Sequence, residues 1–549
     1  MVGRARTLLL VAVTAVCVSA ALTPPAALAS HSQQAMFEDT VAILENPAVQ
    51  LDRLRRLGVE RIRLFVAWRN YAPRPDSYRR PGGFDASNPK AYGAVWGALD
   101  GAIRQAATDG MSLDVDVGPG APLWATAPDN PRDQPHAGWA PKGYEYGAFV
   151  HALATRYSGN YNPTKNKLVP HDPADLPAVH FWSIWNEPDY GPSLAPQSAP
   201  GHPSIERSPW LYRNLLDSAW SALQRTGHTH DSVLFGELAP RGEARLGIFN
   251  GMKPLQFVRA LYCLDSRYRP LHGTAASVRG CPSTSAGSRA FSRQHPALFQ
   301  ASGFSIHPYS RWYPPNVEAQ PDPDFAALAQ IGNLERGLDR AVRTYHSHKR
   351  FPIWNTEYGY LTSPPKRSPD PKNHVPYISQ STAAYFLNWA EYISWRDPRM
   401  ASFMQYLLAD PLPAIKSNDW GGFASGLLTF AQKEKPTYGA FRVPLYLPVT
   451  SSRVGRSLEV WGTARPAHWG MVDVPADPET VEIQFKPSSG GSFTVVKTIT
   501  VTDPHGYFDT RVSFPGSGTV RASYTYPSDD PLLSPGDTVF SRNVAITLK

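Results

Sequence analysis

The sequence lacks the motifs that carry several common kinds of catalysis. It contains no Ser-His-Asp elbow, no His-Glu-x-x-His pair and no glycine-rich phosphate loop, so esterase, metalloprotease and kinase activities have no residues to support them. A strong charge of one sign is also missing, because charged residues form 18% of the chain and the formal net charge is +8. Basic residues are spread along the chain rather than clustered with aromatic residues, so the sequence does not predict nucleic-acid binding.

The composition that is present excludes a disordered protein. Hydrophobic residues make up 42% and aromatic residues 11% of the 549 residues, which is enough for a large core. The 54 prolines and 41 glycines follow no fixed period, so they favour many shaped loops over a fibrous repeat. The sequence therefore predicts a globular protein whose loops carry function.

The N-terminal segment has the pattern of a secretory signal peptide. Arg4 and Arg6 precede an apolar run over residues 8–22, and the small-x-small pattern of residues 27–29 suits signal peptidase. The alternative is a transmembrane anchor, but the run is short and is followed by two prolines. We expect residues 1–29 to be removed and the mature protein to be secreted and extracellular, without insertion into a membrane.

Cysteine is scarce in the mature chain. Removal of residues 1–29 takes away Cys17 and leaves Cys263 and Cys281. An even number of thiols in an oxidising compartment predicts a disulfide bond between them. The alternative, a metal-binding pair, has no adjacent histidine cluster to support it.

Residues 35–448 show the rhythm of repeated β-α units. Short apolar runs alternate with amphipathic stretches, which predicts an α/β fold of the (β/α)8 TIM-barrel type. Seven strands are visible, and an eighth is placed at residues 39–44 to complete the barrel. Residues 241–300 are interpreted as an elaborated loop after the fifth strand. The seven visible strands are residues 61–67, 112–117, 179–185, 232–236, 303–306, 351–354 and 401–407.

The pattern changes after residue 447. Five segments alternate polar and apolar residues and are separated by Gly, Pro and Asp turns. Residues 456–549 are therefore predicted to form a small all-β immunoglobulin-like sandwich. Glycan binding and covering the barrel are the two roles open to this domain, and we favour the second.

Two glutamates each follow an apolar strand of the predicted barrel. Glu187 lies in an Asn-Glu-Pro segment, and Glu357 lies in a Thr-Glu-Tyr-Gly segment. Because barrel strands end at the same face, the two carboxylates are predicted to meet there, as hydrolysis of an acetal requires. We expect apolar neighbours such as Trp185 to favour protonated Glu187, and donors such as Arg63 or Tyr309 to keep Glu357 ionised.

These segments resemble motifs of clan A glycoside hydrolases, particularly families 39 and 5. The Asn-Glu-Pro segment is similar to the acid/base motif after strand four, and the Thr-Glu-Tyr-Gly segment to the nucleophile motif after strand seven. The resemblance implies a retaining mechanism with Glu187 as acid/base and Glu357 as nucleophile. It also implies six substrate-binding residues: Asn186 on a sugar hydroxyl, Arg63 and Tyr309 beside the nucleophile, and His307, Trp124 and Trp68.

Several of these residues have a structural alternative. Arg63 could instead form a structural buried ion pair. His307 could be a hydrogen-bonded core histidine, and Trp124 could pack in the core. Asp114 and Asp116 share one strand face and are predicted to pair inside the barrel, while Glu237 is a further pocket candidate. The sequence lacks the Trp that many relatives place after strand eight, and the candidates for that position are Gln405, Tyr406 and Trp420.

The combined prediction is a secreted retaining glycosidase that cleaves O-glycosidic bonds of a polysaccharide or glycoconjugate. It uses two glutamates and no metal, cofactor or protein partner. The alternative from another class is a non-catalytic carbohydrate-binding or cell-wall-adhesion protein on the same scaffold. Net transglycosylation is a third possibility, because it requires the same residues.

Overall fold

The structure is a computed structural model that describes the chain from residue 30 onward with five internal gaps and one single-residue gap near the start. The described residues are 30, 32–318, 320–362, 377–411, 423–474, 478–526 and 536–549. The predicted signal peptide and Trp420 lie outside these residues. Among the described helices, none is both long enough and apolar enough to cross a membrane.

Eight parallel strands form the central sheet and close into a barrel. The seam lies between the last two strands, where the N–H of Ala401 donates to the carbonyl of Ile353 at 2.8 Å. The first strand pairs in parallel with both the second and the eighth. The predicted TIM barrel is thus confirmed. In chain order the strands are β1 Gln34–Glu38, β2 Arg61–Phe65, β3 Ser112–Val117, β4 Phe181–Ile184, β5 Ser232–Leu238, β6 Gly303–Ile306, β7 Ile353–Asn355 and β8 Ser402–Tyr406.

Strand β1 differs from the sequence prediction. The eighth strand was expected at residues 39–44, but the structure places a helix at Thr40–Glu45 and the strand before it. Asp39 marks the change, because its carboxylate accepts the N–H of Leu408 at 3.0 Å from the end of β8. The position of β1 carries Glu38 to the same end of the barrel as the two predicted catalytic glutamates.

Helices surround the barrel, and one short helix, Ala467–Asp473, lies in the sandwich region. The longer helices bury an apolar stripe, as amphipathic helices do. The α-helices are Thr40–Glu45, Pro47–Arg56, Trp68–Tyr71, Gly97–Thr108, Gly143–Arg156, Ser208–Arg225, Pro254–Leu261, Gly273–Ser277, Ser285–Gln294, Ala297–Gln300, Ile331–Thr344, Gln380–Trp395, Pro436–Arg442 and Ala467–Asp473. Shorter 3-10 helices are Pro89–Trp96, Leu123–Ala125 and Leu328–Gln330, and two short hairpins pair Tyr161–Asn162 with Lys167–Leu168 and Ser198–Ala199 with His202–Glu206.

The segment of residues 241–300 contains helices joined by irregular stretches. Four of the helices lie in it, and their apolar faces join the barrel core. Cys263 and Cys281 form a disulfide bond across it, with their Cα atoms 5.6 Å apart, which confirms the predicted pairing. The bond closes a loop with a sequence separation of 18, worth about 3 kcal/mol in the chain-entropy account.

Two antiparallel sheets follow the barrel and pack as a β-sandwich. They enclose a separate apolar core that includes Val460, Ile483 and Phe485. One sheet contains β9, β11 and β14, and the other contains the remaining strands. The strands are β9 Leu445–Tyr446, β10 Ser451–Ser452, β11 Leu458–Thr463, β12 Thr480–Pro487, β13 Thr494–Thr500, β14 Tyr507–Val512, β15 Gly518–Thr525, β16 Thr538–Phe540 and β17 Val544–Leu548.

Candidate active site

The polar residues of the site follow the carboxyl ends of the barrel strands. Glu187 lies just after β4 and Glu357 just after β7, and both carboxyl groups are partly exposed, at 20% and 14% of their side-chain area. Trp185 and Glu187 have positive φ angles of 65° and 46°, a left-handed conformation that costs a non-glycine residue about 1–2 kcal/mol. The N–H of Glu187 donates to the carbonyl of Glu237 at 2.9 Å, which holds this turn in place.

His307 lies between the two predicted catalytic carboxylates. It follows β6 and is fully buried. Its Nδ1 is 3.0 Å from Oε1 of Glu187 and 3.1 Å from Oε2 of Glu357. One donor atom from each of the three residues lies within 4.8 Å of the other two. The structure therefore brings both glutamates into one groove, with a single ring nitrogen bridging them.

Glu237, near the end of β5, holds the other side of the imidazole. Its Oε2 is 2.9 Å from Nε2 of His307 and also accepts from Thr356 Oγ1 at 2.9 Å and from Arg63 at 3.1 Å. Burial alone would raise the pKa of Glu237, but Arg63 and His307 lower it to about 2. The group is a buried anion, and it was predicted only as a pocket candidate.

His307 is held in its protonated form by these neighbours. Burial favours the neutral ring, but Glu357, Glu187 and Glu237 raise the pKa of His307 well above its usual range. Both ring nitrogens then donate hydrogen bonds to carboxylates. The three side chains carry atoms of the kinds that ligate metals, and an ion bound there would have to displace the proton on Nδ1 of His307.

Arg63 on β2 supplies the second positive charge. It is fully buried and donates to Glu38 at the end of β1, to Asp116 at 2.7 Å and to Oδ1 of Asn186 at 2.7 Å, and it lies 3.7 Å from Oε1 of Glu357. Because Oδ1 of Asn186 accepts from the guanidinium, its amide NH2 is the group left to donate to a ligand. The predicted buried ion pair is therefore present, and the role of Arg63 in substrate binding stays a prediction.

The charge of Glu357 follows from these two cations. Its burial favours protonation, but His307 and then Arg63 outweigh this and lower the pKa of Glu357 below its usual value. The prediction named Tyr309 as a donor to this group. The structure differs, because the Tyr309 hydroxyl is buried without a hydrogen-bond partner among the described residues. Its ring stacks on Tyr358 instead, with centroids 6.1 Å apart.

Further acids lie deeper in the barrel. Burial raises the pKa of Glu38 to about 7 and that of Asp114 to about 7, and it raises the pKa of Asp116 well above its usual range. Asp114 accepts from Ser183 at 3.0 Å and Asp116 accepts from Arg63. These contacts agree with the prediction that the two aspartates face the barrel interior.

Two tryptophans predicted to bind substrate are core residues instead. Trp68 is 1% and Trp124 3% exposed, and their rings pack edge to face at 6.3 Å. The indole N–H of Trp124 donates to the carbonyl of Pro73 at 3.0 Å, so its polar atom is also satisfied within the protein. The structure leaves neither ring a free face for a sugar, because both fill an aromatic cluster beside β2.

Tyr406 is the last residue of β8 and is influenced by the charge of Glu357. Glu357 contributes, after burial, to raising the pKa of Tyr406, and its ring packs on Phe423 at 5.5 Å. Gln405 is buried and donates to two backbone carbonyls, so it has a structural role.

Exposed aromatic rings near Glu187 were not predicted. Tyr190 and Phe249 are 45% and 46% exposed, and the N–H of Tyr190 donates to the carbonyl of Glu187 at 3.0 Å. Phe249 packs on His136 at 5.0 Å and on Trp139 at 6.0 Å. Their places in irregular loops leave no periodic signal in the sequence. Such rings offer flat apolar surfaces to a ligand entering the groove.

No protein-family model matches this chain. No curated protein matches it either. Among solved structures, the chain is similar to a family 39 glycoside hydrolase from the gut symbiont Bacteroides cellulosilyticus WH2, with 13% identity, coverage of 88% of this chain and 79% of that chain, and a TM-score of 0.45. It is similar to endo-glycoceramidase II from Rhodococcus sp., with 14% identity, coverage of 89% and 99%, and a TM-score of 0.40. It is also similar to GH5_18 from Streptomyces cattleya in complex with GlcNAc, with 16% identity, coverage of 78% and 85%, and a TM-score of 0.43.

Proposed function

We propose that this protein is a retaining glycoside hydrolase with Glu187 as acid/base and Glu357 as nucleophile. The observation that carries the proposal is the shared contact of both carboxylates with Nδ1 of His307, at 3.0 and 3.1 Å. One carboxylate oxygen of Glu187 and one of Glu357 lie within 4.8 Å of each other. Retaining enzymes hold their carboxyl groups ~5–5.5 Å apart and inverting enzymes ~6.5–9.5 Å apart, so this spacing favours retention.

The charges of the site suit the first step. Glu357 is kept ionised by His307 and Arg63, so it can attack the anomeric carbon. Glu187 delivers its proton to the departing glycosidic oxygen as that bond breaks, and a glycosyl ester forms on Glu357. The free amide NH2 of Asn186 is placed to donate to a hydroxyl of the same sugar. No cofactor takes part in these bond-making and bond-breaking steps.

His307 links the first step to the second. Once Glu357 is esterified, it has lost its negative charge, so the Nδ1–H of His307 is left mainly to Glu187. Glu187, now a carboxylate, must take a proton from the attacking water, and the Nδ1–H of His307 can donate to it. Water then attacks the anomeric carbon, the ester breaks, and Glu357 is restored. A sugar hydroxyl in place of water would give transglycosylation.

We also propose that the substrate is a polysaccharide or glycoconjugate met outside the cell. Arg4, Arg6 and the apolar run of residues 8–22 support export, and the Cys263–Cys281 disulfide suits an oxidising compartment. Protein recovered from culture medium should begin at Ser30. An N-terminus at Met1 in the recovered protein contradicts this.

The catalytic roles are tested with Glu187→Gln and Glu357→Gln, assayed for reducing-end release across a glycan and aryl-glycoside panel. Both variants should lose at least about 1000-fold in kcat, since each removes a reacting group. A 2-fluoro glycosyl inactivator should label wild-type protein on the peptide that contains Glu357, as detected by mass spectrometry.

The matched control is Glu243→Gln, which removes an exposed carboxylate from a loop after β5 and should keep wild-type turnover. Full activity in either catalytic variant, or label on another peptide, contradicts the assigned roles. Tight glycan binding by wild-type protein without release of a reducing end supports the non-catalytic alternative.

A further inference from the structure

A second cluster of potential metal ligands lies where the barrel meets the sandwich, at the end of the barrel opposite the candidate active site. Glu60 immediately precedes β2, at the end of the barrel opposite the strand ends that carry the catalytic glutamates. His468 lies on the helix Ala467–Asp473, and His505 lies in the turn before β14. One donor atom from each residue lies within 4.8 Å of the other two.

The donor atoms of the three residues lie close together. Oε2 of Glu60 is 2.6 Å from Nδ1 of His505 and 3.6 Å from Nδ1 of His468. The carbonyl oxygen of Pro504 is 2.7 Å from the same nitrogen of His468. The two imidazole rings lie nearly parallel, with an interplanar angle of 10° and centroids 6.0 Å apart. Two imidazole nitrogens and one carboxylate oxygen therefore lie within 4.8 Å of one another, with the Pro504 carbonyl beside the nitrogen of His468.

These spacings are close to those of a four-coordinate zinc site. Nitrogen and oxygen ligands bind zinc at ~2.0–2.2 Å in a tetrahedron, which places neighbouring ligand atoms ~3.3–3.6 Å apart. The 2.6 and 3.6 Å separations need only small side-chain movements to reach that arrangement.

The surrounding contacts hold the ligands in position. The second carboxylate oxygen of Glu60 accepts the N–H of Ala35 at 3.1 Å, which fixes its orientation. Next to the ligands, the indole N–H of Trp469 donates to the carbonyl of Val59 at 3.0 Å. Outer contacts of this kind orient ligands and are part of a metal site. The carboxylate of Glu60 is 6% exposed, while both rings keep 14% to 22% of their area open to solvent.

We propose that Glu60, His468 and His505 bind a divalent cation of the zinc type, with the carbonyl of Pro504 as a fourth ligand. Two imidazole nitrogens favour zinc and its transition-metal neighbours over calcium or magnesium, which prefer oxygen. Both rings bind through Nδ1, so any proton on that atom leaves when the metal enters. The ion fastens the sandwich to the barrel, because its ligands come from both. This inference is independent of the proposed hydrolysis.

The test uses full-length protein treated with EDTA and titrated with Co²⁺, whose visible absorption reports tetrahedral coordination, and with Zn²⁺. We expect one equivalent of each to bind, and Zn²⁺ to raise the Tm, because a ligand that binds only folded protein stabilises it. Ca²⁺ and Mg²⁺ should produce neither effect. His468→Gln and His505→Gln should each weaken Co²⁺ binding by roughly 100-fold or more, since even outer partners contribute ~10–100-fold. His202→Gln, at an exposed histidine, should bind like wild type.

The active-site cluster is the competing location for an ion, and His307→Gln separates the two. Loss of the Co²⁺ spectrum in His307→Gln together with its retention in both interface variants overturns the proposal. Absence of Co²⁺ and Zn²⁺ binding by wild-type protein also overturns it and leaves Glu60 and the two histidines as an ion-pair cluster. Far-UV circular dichroism shows that each variant is folded, and none of these readouts depends on turnover.

Discussion

Glu237 controls the charge of the candidate site although it does not face the groove. It is fully buried, and its Oε2 meets His307, Thr356 and Arg63 within 3.1 Å. His307 in turn is the one group that contacts both Glu187 and Glu357 among the described residues. We therefore assign Glu237 a positioning role, which it exerts through the proton of His307.

Replacement of Glu237 by Gln keeps the shape of the side chain and removes its charge. A hydrogen bond to a charged group is worth about 1.5–3 kcal/mol, which corresponds to about 1–2 pH units. The direction of the change follows from the charge. An anion raises the pKa of a neighbouring imidazole, so removing the charge of Glu237 lowers the pKa of His307. We therefore expect the alkaline limb of the kcat/KM profile to shift to lower pH by about 1–2 units.

Two further variants distinguish this role from simple structural support. Glu237→Asp keeps the charge and should restore much of the wild-type pH profile, and Glu243→Gln should leave the profile unchanged. An equal loss of activity by Glu237→Gln at every pH, with no movement of the alkaline limb, contradicts the role assigned to Glu237.

Strand β5 reaches the site through a local irregularity. The register of its pairing with β6 shifts between Phe304 and Ile306, and Gly236 has φ of 115°. A Cβ atom at Gly236 would lie 2.6 Å from the carbonyl oxygen of Ser305 and 2.7 Å from the ring of Phe304. Glycine is required here for space and for conformation, and it sets the position of Glu237 beside it.

Gly236→Ala should therefore reduce both stability and activity. Backbone strain of this kind costs about 1–3 kcal/mol, and the contacts with β6 add to it. We expect a loss of at least that size in the free energy of unfolding, measured with denaturant, together with a lower kcat/KM from a displaced Glu237. Gly201→Ala is the control, because Gly201 has φ of 73° but open space around its Cα. Equal losses in the two variants contradict the importance of the crowded contact.

Most barrel strands are predictable because they are short segments rich in apolar residues, either in a continuous run or, as in β3, alternating with buried polar residues. The segment β3 matches the predicted residues 112–117, and β6 matches residues 303–306. Strand β1 is the exception, because the apolar sequence of Thr40–Glu45 resembles a strand more than Gln34–Glu38 does. Its pairing with β2 and β8, which is not visible in local sequence, decides its position.

The site is predictable to a similar extent. Glu187, Glu357 and His307 each follow an apolar strand, so parallel strands alone place them at one face. The link from His307 to Glu237 depends on the irregular register of β5, which no sequence spacing reveals. Trp124 was predicted to bind substrate but is buried in the core. A tryptophan in a proline-rich loop has the same sequence pattern whether it packs inward or stacks on a sugar.

The barrel and the sandwich are joined by a buried ion pair. Arg465, which follows β11, is 2% exposed and donates to Glu391 on the barrel helix Gln380–Trp395. Glu391 is fully buried and also accepts from the hydroxyl of Tyr507 at 3.0 Å. Aromatic rings from both domains, including Trp395 and Trp461 at 5.9 Å, pack beside this pair. The two domains thus share polar and apolar contacts that are lost together when they separate.

Arg465→Met should uncouple the two domains, because it leaves the carboxylate of Glu391 buried without its partner. Breaking such a pair costs about 3–5 kcal/mol, whereas replacing both partners by apolar side chains is often neutral. Tryptophan fluorescence and far-UV circular dichroism should show coincident urea transitions in wild type and separate ones in the variant.

The double variant Arg465→Met, Glu391→Leu should regain most of the lost stability, and Arg456→Met at an exposed arginine should lose little. A loss below about 1 kcal/mol in Arg465→Met alone contradicts this coupling, since a removed partner would then leave no uncompensated charge. Arg465→Met also tests whether loss of the ion pair affects the candidate active site. The ion pair lies at the amino-terminal end of the barrel, so kcat measured at low temperature, where the variant stays folded, should match wild type.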